Sequence, residues 1–200
     1  GAVLIRPFIG YMLEYKHRKH LVLIGAFILF VITILYPISS IVVVFLFIRF
    51  VHGLAWGWST TVNGTAAVDV IPFSRLGEGM GYFGLSNTIA YIIAPSLGIF
   101  LYNVTTFTNL IVISSILGFI SVVLLALVHY RTPEAVLKVK KEDLKFSYLG
   151  SLVEKSSWYP SFITLIICLG YGSVSTFIVI YGEERGIEQI FLFYPLNAIV

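Results

Sequence analysis

Charge is what this sequence has least of. Of its 200 residues only 12% are Asp, Glu, Lys or Arg, against 58% hydrophobic. A soluble domain of this length needs far more charge to cover its surface, so a water-exposed globule is excluded. Cysteine is nearly absent as well. Cys168 stands alone, cannot form an intrachain disulfide, and reads as a small packing residue in an apolar stretch. Neither H-E-x-x-H nor G-x-S-x-G occurs, and His17 and His20 have no acidic or cysteine partners at metal-ligand spacing. Gly79-Met80-Gly81-Tyr82-Phe83-Gly84 spells G-x-G-x-x-G, but no strand precedes it and an apolar helix follows, so a dinucleotide site is not expected. No catalytic constellation survives, and no metal or cofactor is expected.

What remains is a series of long apolar segments. Residues 20–36, 41–66, 82–102, 108–128 and 159–181 are each mostly uncharged, and about 17 or more such residues suffice to cross a bilayer as a helix. Mean hydropathy is +0.95. The expected fold is therefore an all-α polytopic membrane protein. Gly1 is not preceded by a Met or a signal peptide, so residues 1–12 are expected to be the cytoplasmic end of a span that began earlier. Residues 190–200 are expected to open a further span.

The few charges are sorted by loop. Lys16, Arg18 and Lys19 precede the first full span, and Arg131, Lys138, Lys140, Lys141, Lys145 and Lys155 follow the fourth. The connections at 37–40 and 103–108 carry none, and Gly182-Glu183-Glu184-Arg185-Gly186 is acidic on balance. Basic loops stay cytoplasmic, and these alternate as successive spans require. The net charge of +3 thus reports topology and contact with anionic inner-leaflet lipid, with no nucleic-acid partner expected. Asn103-Val104-Thr105 falls on the outer side as a glycosylation pattern that matters only in a secretory-pathway host, whereas Asn63-Gly64-Thr65 lies within a span.

Three regions follow: a helical bundle over 1–130, a cytoplasmic central loop over 131–158, and the start of a second bundle over 159–200. Within the loop Leu144, Phe146, Leu149, Leu152 and Val153 alternate with charges, which suits either a segment lying on the membrane surface or a soluble linker. Trp158 and Tyr159 would anchor the next span at the interface.

Polar residues inside spans are costly and therefore informative. In 41–66, Arg49, His52, Trp56, Thr60 and Asn63 recur every three or four residues on one face. That face either lines a water-filled cavity or packs against another helix, and Arg49 either serves function or snorkels to the interface. Gly53 and Gly57 form a small-xxx-small pair suited to close helix packing. In 82–102, Ser86, Asn87 and Thr88 precede Ala90, Tyr91, Ala94, Pro95 and Gly98, where small residues permit tight crossing and Pro95 favours a bend. In 159–181, Gly170, Tyr171, Gly172, Ser173, Ser175 and Thr176 make a midpoint suited either to a flexing transport helix or to a helix interface.

These residues converge on a family. Gly10-Tyr11-Met12-Leu13-Glu14-Tyr15-Lys16-His17-Arg18-Lys19 resembles the signature between helices 2 and 3 of the major facilitator superfamily, matching at Gly10, Glu14 (usually Asp), Arg18 and Lys19, with His17 where a second Gly is usual. Arg49-Phe50-Val51-His52-Gly53 resembles the helix 4 signature, an Arg followed by a Gly four residues on. Gly81, Ala90, Ala94-Pro95 and Gly98 reproduce the spacing of the helix 5 antiporter signature, with Ala for two of its glycines and Ile99 for a terminal one. Pro72 and Arg75 suit the helix 4–5 loop. The pairing of Arg6-Pro7 at the end of helix 2 with Tyr171-Gly172-Ser173-Val174-Ser175-Thr176-Phe177 in helix 7 looks most like drug- and metallophore-efflux permeases of that superfamily.

The resemblance implies two six-helix bundles, of which this chain holds the end of helix 2 to the start of helix 8. It further implies secondary active transport by alternating access around a midplane site. Arg49, His52, Trp56, Thr60, Asn63, Asn87, Tyr91, Tyr171 and Ser175 would line the substrate and proton pathway. Gly10, Glu14, Arg18, Lys19 and Arg75 would form a cytoplasmic gating cluster, and Gly53, Gly81, Ala90, Ala94, Pro95 and Gly98 would serve packing and bending. The expected partners are a small-molecule substrate, protons and membrane lipid, for a monomer in the cell membrane. Proton-coupled efflux competes with uptake of a sugar or organic anion. A membrane receptor or sensor would need an output domain.

Overall fold

The computed structural model of this chain is described here over residues 1–38, 41–130, 132–139, 144, 157–187, 193 and 196. Among them every regular element is helical: α1 (Ala2–Leu13), α2 (Arg18–Leu35), α3 (Val42–Val70), α4 (Leu76–Val104), α5 (Phe107–Leu127), the short α6 (Glu134–Lys138) and α7 (Trp158–Glu184). Short 3-10 turns at Tyr36–Ile38 and Phe73–Arg75 follow α2 and precede α4. Five of these stretches are long and apolar enough to cross a membrane, and α5 reaches a mean hydropathy of 2.9 with none of its residues buried. A soluble protein does not leave a surface of that kind to water, so this is a multi-pass membrane protein.

Local chemistry sets the helix ends. Thr106 caps α5, its hydroxyl accepting from the Asn109 N–H at 3.3 Å. α3 stops at Ile71, which is extended before Pro72 as proline demands of its predecessor. Beyond α7 the chain turns at Gly186, whose φ of +71° is open to glycine at little steric cost. Hydroxyls inside spans are satisfied by their own helix. Thr33, Thr61, Thr65, Ser96, Ser115 and Ser173 each donate to the carbonyl four residues back, as a polar group in lipid must find a partner locally.

Two differences from the expected spans carry consequences. α3 continues past Ala66 to Val70 and so includes Asp69, and α4 begins at Leu76 rather than Tyr82. In both places the amphipathic ends of the helices reach beyond the apolar core that hydropathy detects. Residues 146–153, expected either to lie on the membrane surface or to form a soluble linker, fall outside the described residues, as do residues 190–200 apart from Phe193 and Leu196.

Contacts divide the chain into two compact units. The first comprises residues 1–83 and 105–148 and is built on α2, which packs against both α3 and α5, while α1 packs on α3. One apolar cluster joins Ile9, Met12, Leu13, Leu21, Val22, Val62 and Ala66. A second, at the other end of α2, joins Ile32, Tyr36, Ile48 and Ala55. α1 and α3 run in the same direction and touch backbone to backbone: a Cβ on Gly57 would lie 2.7 Å from Ala2 Cα and from Ile5 Cγ2. α2 runs opposite to α3, and a Cβ on Gly25 would lie 2.7 Å from the Trp58 ring. The Trp58 Nε1–H donates to the Leu21 carbonyl at 2.9 Å, fastening the same crossing. The second unit comprises residues 84–104 and 149–200. Within it α4 stays helical through Pro95.

Candidate functional site

Among the described residues of the first unit, the charge with the most bonds is Arg18, at the start of α2. It is 5% exposed, which an arginine tolerates only when paired. Its Nε donates to Asp69 Oδ2 at 2.6 Å, with the two side chains 7% and 16% exposed. Its Nη1 donates to the Leu13 carbonyl at the end of α1. Its backbone N–H, one of those that a helix start leaves unpaired, donates to Thr132 Oγ1 at 3.1 Å. One residue thereby ties together the end of α1, the start of α2, the end of α3 and the segment after α5.

Asp69 and Thr132 were not among the residues that the sequence singled out. A signal for Asp69 exists: Ala55, Ser59 and Val62 continue to Ala66 and Asp69 at spacings of four and three, one face of one helix. Ala55, Ser59, Val62 and Ala66 are all buried, so the acid ends a buried seam. Thr132 carries no comparable signal.

Beside Arg18 lies a cavity of about 570 Å³ lined by Gly10, Leu13, Glu14, Arg18, Thr61, Thr65, Val136, Val139 and Leu144. Three of the matching positions of the loop signature, Gly10, Glu14 and Arg18, thus share one cavity wall. Glu14 is exposed and Lys19 half-buried. Arg75 forms its ion pair with Glu78, Nε to Oε2 at 2.8 Å and Nη2 to Oε1 at 2.6 Å, on an exposed surface.

The polar stripe of α3 runs along the flank of its buried seam. Trp56, Thr60 and Asn63 each follow a seam residue (Ala55, Ser59, Val62) and so stand about 100° round the helix from it. Trp56 is exposed, Thr60 donates to the Trp56 carbonyl at 2.9 Å, and Asn63 Nδ2 donates to Ser59 Oγ at 3.3 Å. Higher on the stripe, His52 Nδ1 lies 3.0 Å from the hydroxyl of Tyr36, and Arg49 Nη1 donates to that hydroxyl at 3.5 Å. Tyr36 is a further residue unmarked in the sequence reading, where it only ended a span.

Packing residues divide by position. Gly53 and Gly57 meet the backbone of α1, whereas Gly10, Gly81 and Gly98 have open space where a Cβ would stand. In the second unit Asn87, Ala90, Tyr91 and Ala94 on α4 and Tyr171 on α7 are exposed, and Pro95 and Ser175 are half-buried. Among the described residues no group of three or more His, Cys, Asp or Glu side chains could hold a metal ion.

Comparison with known proteins agrees with this architecture. The family model of the Major Facilitator Superfamily matches residues 1–200. An uncharacterised MFS-type transporter of Methanocaldococcus jannaschii is 31% identical over 90 residues, taking in 45% of this chain and 23% of the relative. The chain therefore aligns with about a quarter of that relative's length. No solved structure matches. With its apolar helices in order and the family model matching from end to end, the chain belongs to the Major Facilitator Superfamily, a class of transporters rather than enzymes.

Proposed function

We propose that the protein is a secondary active transporter that moves a small molecule across the cytoplasmic membrane by alternating access, as proton-coupled efflux. Residues 1–130 belong to the first bundle, 131–158 to a cytoplasmic connection and 159–200 to the second bundle. The basic loops face the cytoplasm, because Lys16, Arg18 and Lys19 precede α2 while the connection before α5 is uncharged. The observation that carries the reading is the Arg18 junction. It buries a signature arginine on Asp69 and the Leu13 carbonyl and sets Glu14 at the edge of a cavity. A junction of this kind holds the cytoplasmic end of one bundle rigid, so that Glu14 and Lys19 act on the balance between two states rather than on substrate choice.

Arg49 supplies a fixed positive charge on the pathway, together with His52, Trp56, Thr60 and Asn63. Uptake is the second reading, favoured by Ala90, Ala94 and Ile99 standing where an antiporter signature has glycine. The experiment is reconstitution into liposomes holding a pH-sensitive dye, with a proton gradient imposed. Cationic drugs and metal chelates are added on one side, and sugars or organic anions in parallel. Efflux predicts that a compound of the first group discharges the gradient. Discharge by the second group alone selects uptake, and no response to either refutes proton coupling.

A further inference from the structure

Tyr36 belongs to none of the signatures, yet its hydroxyl joins two ionisable side chains near the start of α3. We propose that Tyr36 is a positioning residue: it holds neutral His52 in the tautomer protonated at Nε2, and it makes the placement of Arg49 depend on whether His52 carries a further proton. The inference deepens the proposed function, on which it rests, by naming the proton-responsive group beside Arg49.

The argument follows from which groups can donate. A guanidinium only donates, so the Tyr36 oxygen accepts from Arg49 Nη1 at 3.5 Å. His52 Nδ1 lies 3.0 Å from the same oxygen; a head-to-tail order, in which the hydroxyl donates to His52 and the two bonds polarise one another, is favoured over one in which the oxygen accepts from both. An imidazole accepting at Nδ1 carries its proton on Nε2. Protonation reverses the second bond. An imidazolium donates from both nitrogens, so the Tyr36 oxygen would then accept from two cations at once. The Arg49 bond is the longer, at the outer limit for a hydrogen bond, and Arg49 is exposed while His52 is half-buried. Arg49 is therefore the arm that lets go. The hydroxyl itself stays in place, since Tyr36 is 8% exposed and its ring lies edge-on to Phe45 and His52 at centroid distances of 5.9 and 5.7 Å.

The chain's α-amino group is close, since Gly1 abuts Gly53, the residue after His52. The other titratable groups of α2 are Arg18, Lys19 and His20, at its opposite end, and α5 has none. α1 carries Arg6 and Tyr11. Because Gly1 abuts Gly53 and the two helices run in parallel, Arg6 is offset from His52 by about 9 Å along the axis, and Tyr11 by more.

The test is 15N nuclear magnetic resonance of histidine- and arginine-labelled protein in lipid nanodiscs, with His52→Gln identifying the His52 signals. Wild-type His52 should be unprotonated at Nδ1 in its neutral form, and the Arg49 guanidinium signal should move as His52 titrates. Tyr36→Phe keeps the ring and removes only the oxygen. It should give mixed His52 tautomers and reduce the Arg49 movement by at least about two-fold, and His52→Gln should abolish that movement. Neutral wild-type His52 protonated at Nδ1 overturns the proposal, as do Tyr36→Phe spectra identical to wild type. Should Tyr36→Phe not fold, the wild-type tautomer and the His52→Gln arm still decide. No transported compound is needed, so this result and the transport result stand or fall separately.

Discussion

The Arg18–Asp69 pair offers the sharpest test of how the first unit is held together. At 2.6 Å and an effective dielectric of about 20, the gross attraction is about 6 kcal/mol. Most of that offsets the desolvation of two charges, so the net worth of the pair is small while the cost of removing one partner is large, about 3–5 kcal/mol. Asp69→Leu would strand a guanidinium that retains the Leu13 carbonyl. Arg18→Met would strand a carboxylate and also release the end of α1. The double variant leaves no stranded charge and should recover most of the loss. The coupling energy from the four proteins should therefore be at least about 2 kcal/mol. Unfolding in mixed micelles by increasing denaturing detergent measures it, with unfolding rates compared if the transition is irreversible. A coupling energy under about 0.5 kcal/mol would mean that the two side chains do not depend on each other, and the junction described above would be wrong.

Other expectations rest on different contacts. Gly57→Val should push α1 off α3, because its Cβ would fall 2.7 Å from Ala2 Cα; a loss of about 1–3 kcal/mol is expected by the same unfolding assay. Trp58→Phe keeps the ring against Gly25 but loses the bond to the Leu21 carbonyl, so it should cost about 1 kcal/mol. Arg49→Ala should abolish pH-driven flux in liposomes and Arg49→Lys should keep a fraction, since lysine retains the charge without the planar fork; wild-type flux in a folded alanine variant would make Arg49 structural. Glu14→Gln should slow turnover with little change in substrate affinity, and a large affinity loss at normal turnover would instead make Glu14 a ligand.

The helical, membrane-crossing character was legible because it depends on composition along the chain. Long apolar runs have one stable conformation in lipid, a helix with its backbone bonds made internally, and the five helices among the described residues that are long and apolar enough to cross a membrane overlap the runs that hydropathy marks. Family membership was legible for a similar reason, since a signature is a local string. Gly53 and Gly57 were read as packing positions from their spacing alone, and α1 crosses there.

What the string could not disclose was pairing across helices. Arg18 was marked by the loop signature, but its burial and its bonds to Asp69, Leu13 and Thr132 join residues up to 114 positions apart. Hydropathy, too, falls before the helix ends, so it does not mark Asp69 as part of α3 although helical bonding carries through it. Arg75 shared the basic character of the cluster, yet its ion-pair partner is the nearby Glu78. Tyr36 shows the limit best: in sequence it is an aromatic at the end of an apolar run, and only the antiparallel packing of α2 on α3 sets its hydroxyl beside His52 and Arg49. Burial in lipid is a property of each segment and can be read one residue at a time. A hydrogen bond between segments depends on their register and crossing, which side-chain packing decides only once the helices have met.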